Sequence, residues 1–558
     1  MLARRDLLAG AAALAASGSL AAAAGERLSE DALLRFAPLG QVTLLHLSDL
    51  HGQLLPAHLR EAEINRGVGG ARAEPPFLTG AAFRRWFGIA AGTPMAHAVS
   101  AEDFERLARS YGRMGGLDRI ATLVAAIRAD RPGRTLLLDG GDTWQGGWPA
   151  LASRGAAIVA AMAPLAPEAM TGHWEFTYGA EQMRALIAAA EAAGTRFLAG
   201  NVQDREWNDD VFPALHLFER GGVAVAVIGQ AFPYTPIANP ARLIPDWTMG
   251  IQAEKLAERV AEARAAGAEV VVLLSHNGVA LDRALARRIE GIDVILSGHT
   301  HDCTPAPLTV GRTLLVASGA HGKFLTRIDL AVAGGRVVEH RHALIPVFAE
   351  AIRPDAATAA AVAAARAPHA PLLDTVLAET ETTLWRRGTL NGTWDDLICA
   401  ALMAETGAEI ALSPGFRWGT ALPAASPITM EAVLEQTAIT YPNVWRRSMT
   451  GEQIKALLED VADNLFHPDP FYQQGGDMVR AGGLGFVLDP DAPKGRRIDA
   501  LTLLASGAPL EAGRSYAVAG WAAVGEEVAG PPVWETVAAH LRRLGTVRIA
   551  PNAAIRLA

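Results

Sequence analysis

Short β-branched and leucine-rich runs alternate with alanine-rich amphipathic segments from about residue 40 onward, and several runs stop directly at a cluster of Asp, His, Ser and Gly. That alternation restricts the chain to an α/β arrangement, with layered β-sheets flanked by helices. The expected strands are 42–47, 135–138, 223–228, 270–274, 294–296 and 313–317. The expected helices are 116–130, 180–193 and 251–266, where apolar residues recur at three- and four-residue spacing. Sheets of this kind place their sites beyond the carboxyl ends of strands, where loops converge.

At 558 residues the chain exceeds one ordinary core, which predicts two domains and a connection. The first is expected over 40–347, with a Gly/Pro-punctuated insertion at 57–111 that is too long for a normal connection and covers one side of the site. A connecting helix and linker follow at 348–380. From 381 to 558, longer turns and mixed elements predict a second, α+β domain that binds substrate. The formal net charge of −9 offers no basic face for nucleic acid. No nucleic-acid partner is therefore expected.

Arg4-Arg5 precede an Ala/Leu run that ends in Ala21-Ala22-Ala23-Ala24-Gly25. Residues 1–24 thus look like an export signal with small residues at the cleavage site, in the style of a twin-arginine signal, with an ordinary Sec signal as the alternative. This predicts a periplasmic protein with no stable membrane insertion of the mature chain, since no later stretch is apolar enough to span a bilayer. A monomer is expected. Only Cys303 and Cys399 are present, so there is no disulfide framework. Cys303, two residues after His301, is read as a small buried filler rather than a soft ligand.

Five motifs fall at the expected strand ends: Ser48-Asp49-Leu50-His51, Gly140-Gly141-Asp142, Gly172-His173-Trp174-Glu175, Ser275-His276-Asn277 and Gly298-His299-Thr300-His301. If 49–51 is extended, Asp49 and His51 project to one face, and His299 and His301 repeat the device. Asp142 has two oxygens and can serve two cations at once. The set offers carboxylate and imidazole donors without thiolate, which suits manganese, iron or zinc.

In this order the motifs resemble the calcineurin-like metallophosphoesterases, and within them the two-domain 5'-nucleotidase family. The resemblance implies two divalent metal ions, one held by Asp49, His51 and His301 and the other by His173, His276 and His299, with Asp142 bridging as a catalytic centre. Glu175 and Asn277 are expected to orient the imidazoles from behind. Arg417, after Ser413-Pro414-Gly415-Phe416, resembles the family's substrate-facing arginine, and its guanidinium suits a tetrahedral oxyanion. Arg480 and Tyr441 are further catalytic and substrate-binding candidates.

One motif departs from the nucleotidase pattern. Gly-Asn-His-Glu is replaced by Gly172-His173-Trp174-Glu175, and the Asp that orients the family's catalytic His is replaced by Thr177. An alkoxide leaving group, whose conjugate acid has a pKa near that of water at about 15.7, benefits from that acid. A thiol, at about 8.5, has less need of it. The loss therefore points to cleavage at a sulfur-bonded group, with Trp174 as a substrate-side residue.

The altered motif, Pro75-Pro76-Phe77-Leu78-Thr79-Gly80, Tyr111-Gly112-Arg113-Met114-Gly115-Gly116, Asn391-Gly392-Thr393-Trp394-Asp395-Asp396 and Gly475-Gly476-Asp477-Met478-Val479-Arg480 together resemble the SoxB family of thiosulfohydrolases. That resemblance implies manganese as the metal and, as partner, the SoxYZ carrier protein bearing a cysteine-linked substrate. The implied reaction of this sulfur-oxidation pathway removes a terminal sulfonate as sulfate. A periplasmic 5'-nucleotidase or other phosphoesterase is the alternative reading.

Overall fold

The computed structural model describes residues 28–558, so the export signal expected at 1–24 lies outside the described residues. The chain divides into two compact units. One comprises 28–57, Ala81–Glu102 and Arg109–Pro368; the other comprises His58–Gly80, Asp103–Ala108 and His369–Ala558. The segment expected as an insertion of the first domain is thus shared between the units. Its 58–80 part is tied into the second by Arg60 over the Trp385 ring at 4.3 Å and Glu61 paired with Arg387 at 3.1 Å.

The first unit is a two-sheet sandwich. The strands of its two six-stranded sheets are β1 (Val42–Leu47), β2 (Thr135–Asp139), β3 (Ala169–Met170), β4 (Arg196–Phe197), β5 (Leu215–Arg220), β6 (Val223–Gln230), β7 (Val270–Ser275), β8 (Val294–Ser297), β9 (Leu308–Val310), β10 (Thr313–Ala317), β11 (Phe324–Val332) and β12 (Val337–Pro346). One sheet runs β12-β11-β1-β2-β3-β4 and the other β9-β10-β8-β7-β6-β5. Val42, Leu44, Leu136 and Leu138 of the first pack against Val225, Val227, Val272, Leu274, Val294 and Leu296 of the second in one buried cluster. Because the central strands are also covered on their other face, they read as continuous apolar runs rather than as alternating ones.

Helix α1 (Leu117–Asp130) packs on β2, and α2 (Ala180–Ala192) on β4. Helix α3 (Ala253–Ala265) packs on β6 and β7, and α4 (Val279–Arg288) on β8 and β10. The layering is that of helices outside two sheets, as the sequence pattern requires. Helix α5 (Ala356–Arg366), in the stretch expected as a connection, packs on α1 within the first unit.

The second unit is α+β. Its four-stranded sheet contains β13 (Ile410–Ser413), β14 (Trp445–Thr450), β15 (Arg480–Gly482) and β16 (Ser515–Gly520), in the order β14-β16-β13-β15. Ile410, Leu412, Ala481, Tyr516 and Val518 join Ile454, Leu458 and Phe466 of an amphipathic helix, Gly451–Phe466, in its core. No helix among the described residues is long and apolar enough to cross a membrane.

Candidate metal centre

The carboxyl ends of β1, β2, β3, β7 and β8 deliver all seven expected ligand residues to one place. Two groups form: Asp49, His51, Asp142 and His301, and Asp142, His173, His276 and His299, with the donor atoms of each group within 4.8 Å of one another. Asp142 belongs to both. Cys303 belongs to neither; it is buried and bridges to Ser318.

The local backbone differs from the extended segment expected at 49–51. Asp49 (φ 55°), His51 (φ 47°), Asp142 (φ 54°), His299 (φ 73°) and His301 (φ 57°) all lie in the left-handed region. Such residues cost roughly 1–3 kcal/mol each unless the surroundings over-determine them. Here they are over-determined. Asp49 N–H donates to Gly141 O at 2.8 Å, His51 N–H to Asp142 O at 2.7 Å and Gly52 N–H to Thr143 O at 3.1 Å, which zips the two loops together. The Asp49 carboxylate accepts from His299 N–H at 3.0 and 3.2 Å. Gly298 must be glycine, because a Cβ there would lie 2.5 Å from Ser48 Oγ and 3.0 Å from His276 Nδ1.

Asp142 shows which oxygen is shared. Oδ1 accepts the Trp174 N–H at 2.7 Å. Oδ2 faces His173 Nδ1 at 3.2 Å, His276 Nε2 at 3.1 Å and His51 Nε2 at 3.6 Å, so imidazoles of both groups converge on one oxygen. In the other group His301 Nε2 lies 3.4 Å from Asp49 Oδ1 and 3.1 Å from His51 Nε2. Burial alone would raise the Asp142 and Asp49 pKa values. The surrounding imidazoles outweigh it and hold both carboxyls below the usual range. His276 is drawn down by burial but pushed up to about 10 by Asp142 first, then Asp49 and the Gly140 carbonyl. Buried anionic oxygens surrounded by imidazole nitrogens, one nitrogen of His173 having no hydrogen-bond partner, form a donor set that fits two divalent cations.

The orienting groups are not those expected. Glu175 is fully buried, and its carboxylate accepts from the backbone N–H groups of Thr143 (2.7 Å), His173 (2.8 Å) and Trp144 (3.2 Å). It fixes the two loops and touches no imidazole. Asn277 donates to Gln230 Oε1 at 2.7 Å and Asp282 Oδ1 at 3.1 Å. His276 is oriented by the Gly140 carbonyl at 2.6 Å. Two neighbours escaped the sequence reading. Phe232 stacks on His299, with ring centroids 4.0 Å apart, and the His321 ring lies 5.8 Å from that of His51. Gly319-Ala320-His321-Gly322 after β10 was the only available hint of the latter.

Trp174 is buried, 5.7 Å from the His173 ring. Thr177 Oγ1 donates to the Trp174 carbonyl at 2.7 Å, so positions 174 and 177 present no acid in place of the missing His-Asp pair.

In the second unit, Arg417, Asp477, Arg480, Asp395 and Arg386 form a line of alternating charge. Arg417 Nε lies 3.3 Å from Asp477 Oδ1, and Asp477 Oδ2 lies 2.8 Å from Arg480 Nη2. Arg480 Nε then meets Asp395 Oδ2 at 3.3 Å, and Asp395 Oδ1 meets Arg386 Nε at 2.9 Å. Arg480 has no exposed surface and also donates to the Gly388 carbonyl at 2.7 Å and to that of Leu390. Its ion pairs and its carbonyl hydrogen bonds all lie inside the unit, away from any exposed surface. Arg417 is the partly exposed end of the line, its side chain 14% accessible. Tyr441 is buried in the loop after the helix Met430–Thr437.

Sequence profiles of two families match: calcineurin-like phosphoesterase over residues 42–303 and the 5'-nucleotidase C-terminal domain over 342–529. Among solved structures, the Thermus thermophilus sulfate thiohydrolase SoxB in complex with glycerol superposes with a TM-score of 0.90. It is 40% identical, and the alignment covers 94% of this chain and 97% of that one. The chain belongs to the SoxB family. A 5'-nucleotidase precursor from Thermus thermophilus, at 23% identity, TM-score 0.73 and coverage of 93% and 99%, shares the fold with this SoxB-family chain. The human 5'-nucleotidase is 27% identical over 36% of this chain and 35% of its own length. The chain thus spans about a third of the curated nucleotidases it matches.

Proposed function

We propose that this SoxB-family chain is a periplasmic hydrolase that removes the terminal sulfonate, as sulfate, from a cysteine-linked thiosulfonate on a SoxYZ carrier. The observation that carries the reading is the conjunction of a two-group metal centre with the turn Gly172-His173-Trp174-Glu175. There His173 keeps the donor count, while Trp174 and Thr177 supply no proton to a leaving group. The 40% identity with a sulfate thiohydrolase over nearly the whole chain supports the same choice.

Two divalent cations, manganese in this reading, supply Lewis acidity that polarises a tetrahedral oxyanion and makes water nucleophilic near neutral pH. Asp49, His51 and His301 would hold one and His173, His276 and His299 the other, Asp142 belonging to both groups of donors. The water oxygen bonds to the sulfonate sulfur and the sulfur–sulfur bond breaks. The sulfane sulfur keeps the electron pair as a carrier persulfide, and a proton is released with sulfate. In this reading Arg417, at the partly exposed end of its charge line, is the residue suited to the sulfonate oxygens.

The test is sulfate release from thiosulfate-loaded carrier, assayed beside phosphate release from nucleotides. Sulfate release with little phosphate release is expected. Robust nucleotide turnover without sulfate release overturns the assignment in favour of a phosphoesterase.

A further inference from the structure

Asp282 is fully buried on α4 and, among the described residues, makes no ion pair with Lys or Arg, an arrangement that is costly for a carboxylate unless its hydrogen bonds are put to use. All of its side-chain donors come from two adjacent strand ends. Ser275 Oγ, the last residue of β7, donates to Oδ1 at 2.7 Å, and Ser297 Oγ, the last residue of β8, donates to Oδ2 at 2.6 Å. Ser275 and Ser297 are register partners in the parallel β7–β8 pair, so their side chains leave the sheet in phase and one carboxylate spans both. Asn277, two residues beyond the end of β7, adds a third donor to Oδ1 at 3.1 Å.

The next residue after Ser275 is His276, and the second after Ser297 is His299. Both belong to the same metal group. The strands end at these serines, and beyond them the ladder continues only through Gly298 N–H to Ser275 O at 2.8 Å. An apolar side chain at 282 would fill the space but leave both hydroxyls without their acceptor and the two histidine-bearing loops free to shift.

We infer that Asp282 is a positioning residue for the second cation, acting as a carboxylate brace that fixes the spacing of His276 and His299 through the hydroxyls of Ser275 and Ser297. His276 and His299 both serve the second cation, whereas of the first cation's residues only His301 lies on a braced loop and Asp49 meets that loop through the His299 N–H, so removal of the brace weakens the second cation more than the first. The inference rests on the two-cation reading of the centre.

The experiment is a calorimetric titration of the metal-stripped full-length chain with Mn²⁺, alongside metal content after dialysis and circular dichroism. In Asp282→Ala one of the two cations is expected to lose about 10- to 100-fold in affinity, the range for removing a group that orients a metal ligand, while the other loses clearly less. Asp282→Asn, which keeps one acceptor oxygen and the volume, is expected to restore part of the loss. Ser297→Ala, which removes one strap and leaves the core volume almost intact, is expected to weaken the same step and carries the test if Asp282→Ala does not fold. A wild-type chain that binds fewer than two cations overturns the two-cation reading and this inference together. Two cations in the wild type, with folded variants that keep both affinities or lose both equally, overturn the brace alone.

Discussion

Arg417 and Arg480 separate into two roles that a pair of methionine substitutions can distinguish. Arg480 stands between Asp395 at 3.3 Å and Asp477 at 2.8 Å, with no exposed surface. Asp395 is itself fully buried, where burial raises its pKa and the Arg480 and Arg386 guanidiniums, with the Gly392 N–H, draw it back only in part. Arg480→Met keeps much of the volume but strands charge on both carboxylates. Removing one partner from a buried pair costs about 3–5 kcal/mol. For a unit of this size each kcal/mol moves the midpoint by about 2–4 °C, so the unfolding transition of the second unit should fall by roughly 6–20 °C.

Arg417→Met is the counterpart. Its Nε bonds are to the Gly476 carbonyl at 3.0 Å and Asp477 at 3.3 Å, near the surface, so the stability loss should stay near about 1 kcal/mol. If the guanidinium binds the sulfonate, loss of a charge-assisted hydrogen bond worth about 1.5–3 kcal/mol lowers kcat/KM roughly 10- to 150-fold. Scanning calorimetry and sulfate-release kinetics on both variants give the comparison. An Arg480→Met protein that melts with the wild type yet loses substrate affinity refutes the structural reading of the buried ion-pair line.

Three further outcomes follow from the metal centre. Asp142→Ala should reduce bound cations below two per chain and lower sulfate release by about 10²-fold or more, with carrier binding retained, as checked by metal analysis and a pull-down. Cation affinity should rise with pH: below about 10 the cation-free His276 carries a proton that a metal must displace. That proton contributes about tenfold per pH unit, so Mn²⁺ titrations in buffers of different ionisation enthalpy should show roughly hundredfold tighter binding at pH 8 than at pH 6, with His276 releasing about one proton at both. Trp174→His combined with Thr177→Asp should raise phosphate release from nucleotides above the wild-type background. No gain there, with sulfate release unchanged, removes the leaving-group argument while leaving the family assignment in place.

The strands that carry the site were legible because each is buried on both faces and so writes an uninterrupted apolar run; β7 and β8 are 0–1% exposed throughout. The ligands were legible because they follow those runs immediately. Their backbone was not, since positive φ at Asp49 or His51 is imposed by hydrogen bonds from another loop and has no local residue signal. Segment 58–80 shows the same limit at longer range. Arg60 and Glu61 find Trp385 and Arg387 more than three hundred positions away, and no periodicity records that pairing. Arg480 and Arg417 are alike in sequence, each beside a Gly-rich turn, and only enclosure by Asp395 and Asp477 tells them apart.

The location of the altered motif follows from how the centre is built. Asp49, His51 and Asp142 share a lattice of left-handed residues locked by backbone bonds, His299 N–H joins it through the Asp49 carboxylate, and a change at any of them disturbs its neighbours. His173, with φ −152°, stands outside that lattice. Its turn is held by the Glu175 carboxylate on the His173 and Thr143 N–H groups and by Trp174 N–H on Asp142, bonds that are indifferent to the side chains at 173, 174 and 177. The donor at 173 can therefore change from amide to imidazole, and the acid at 174 can become an indole, without moving the other six ligands. Metal binding and leaving-group assistance are separable here because main-chain N–H groups carry the geometry and side chains carry only the chemistry.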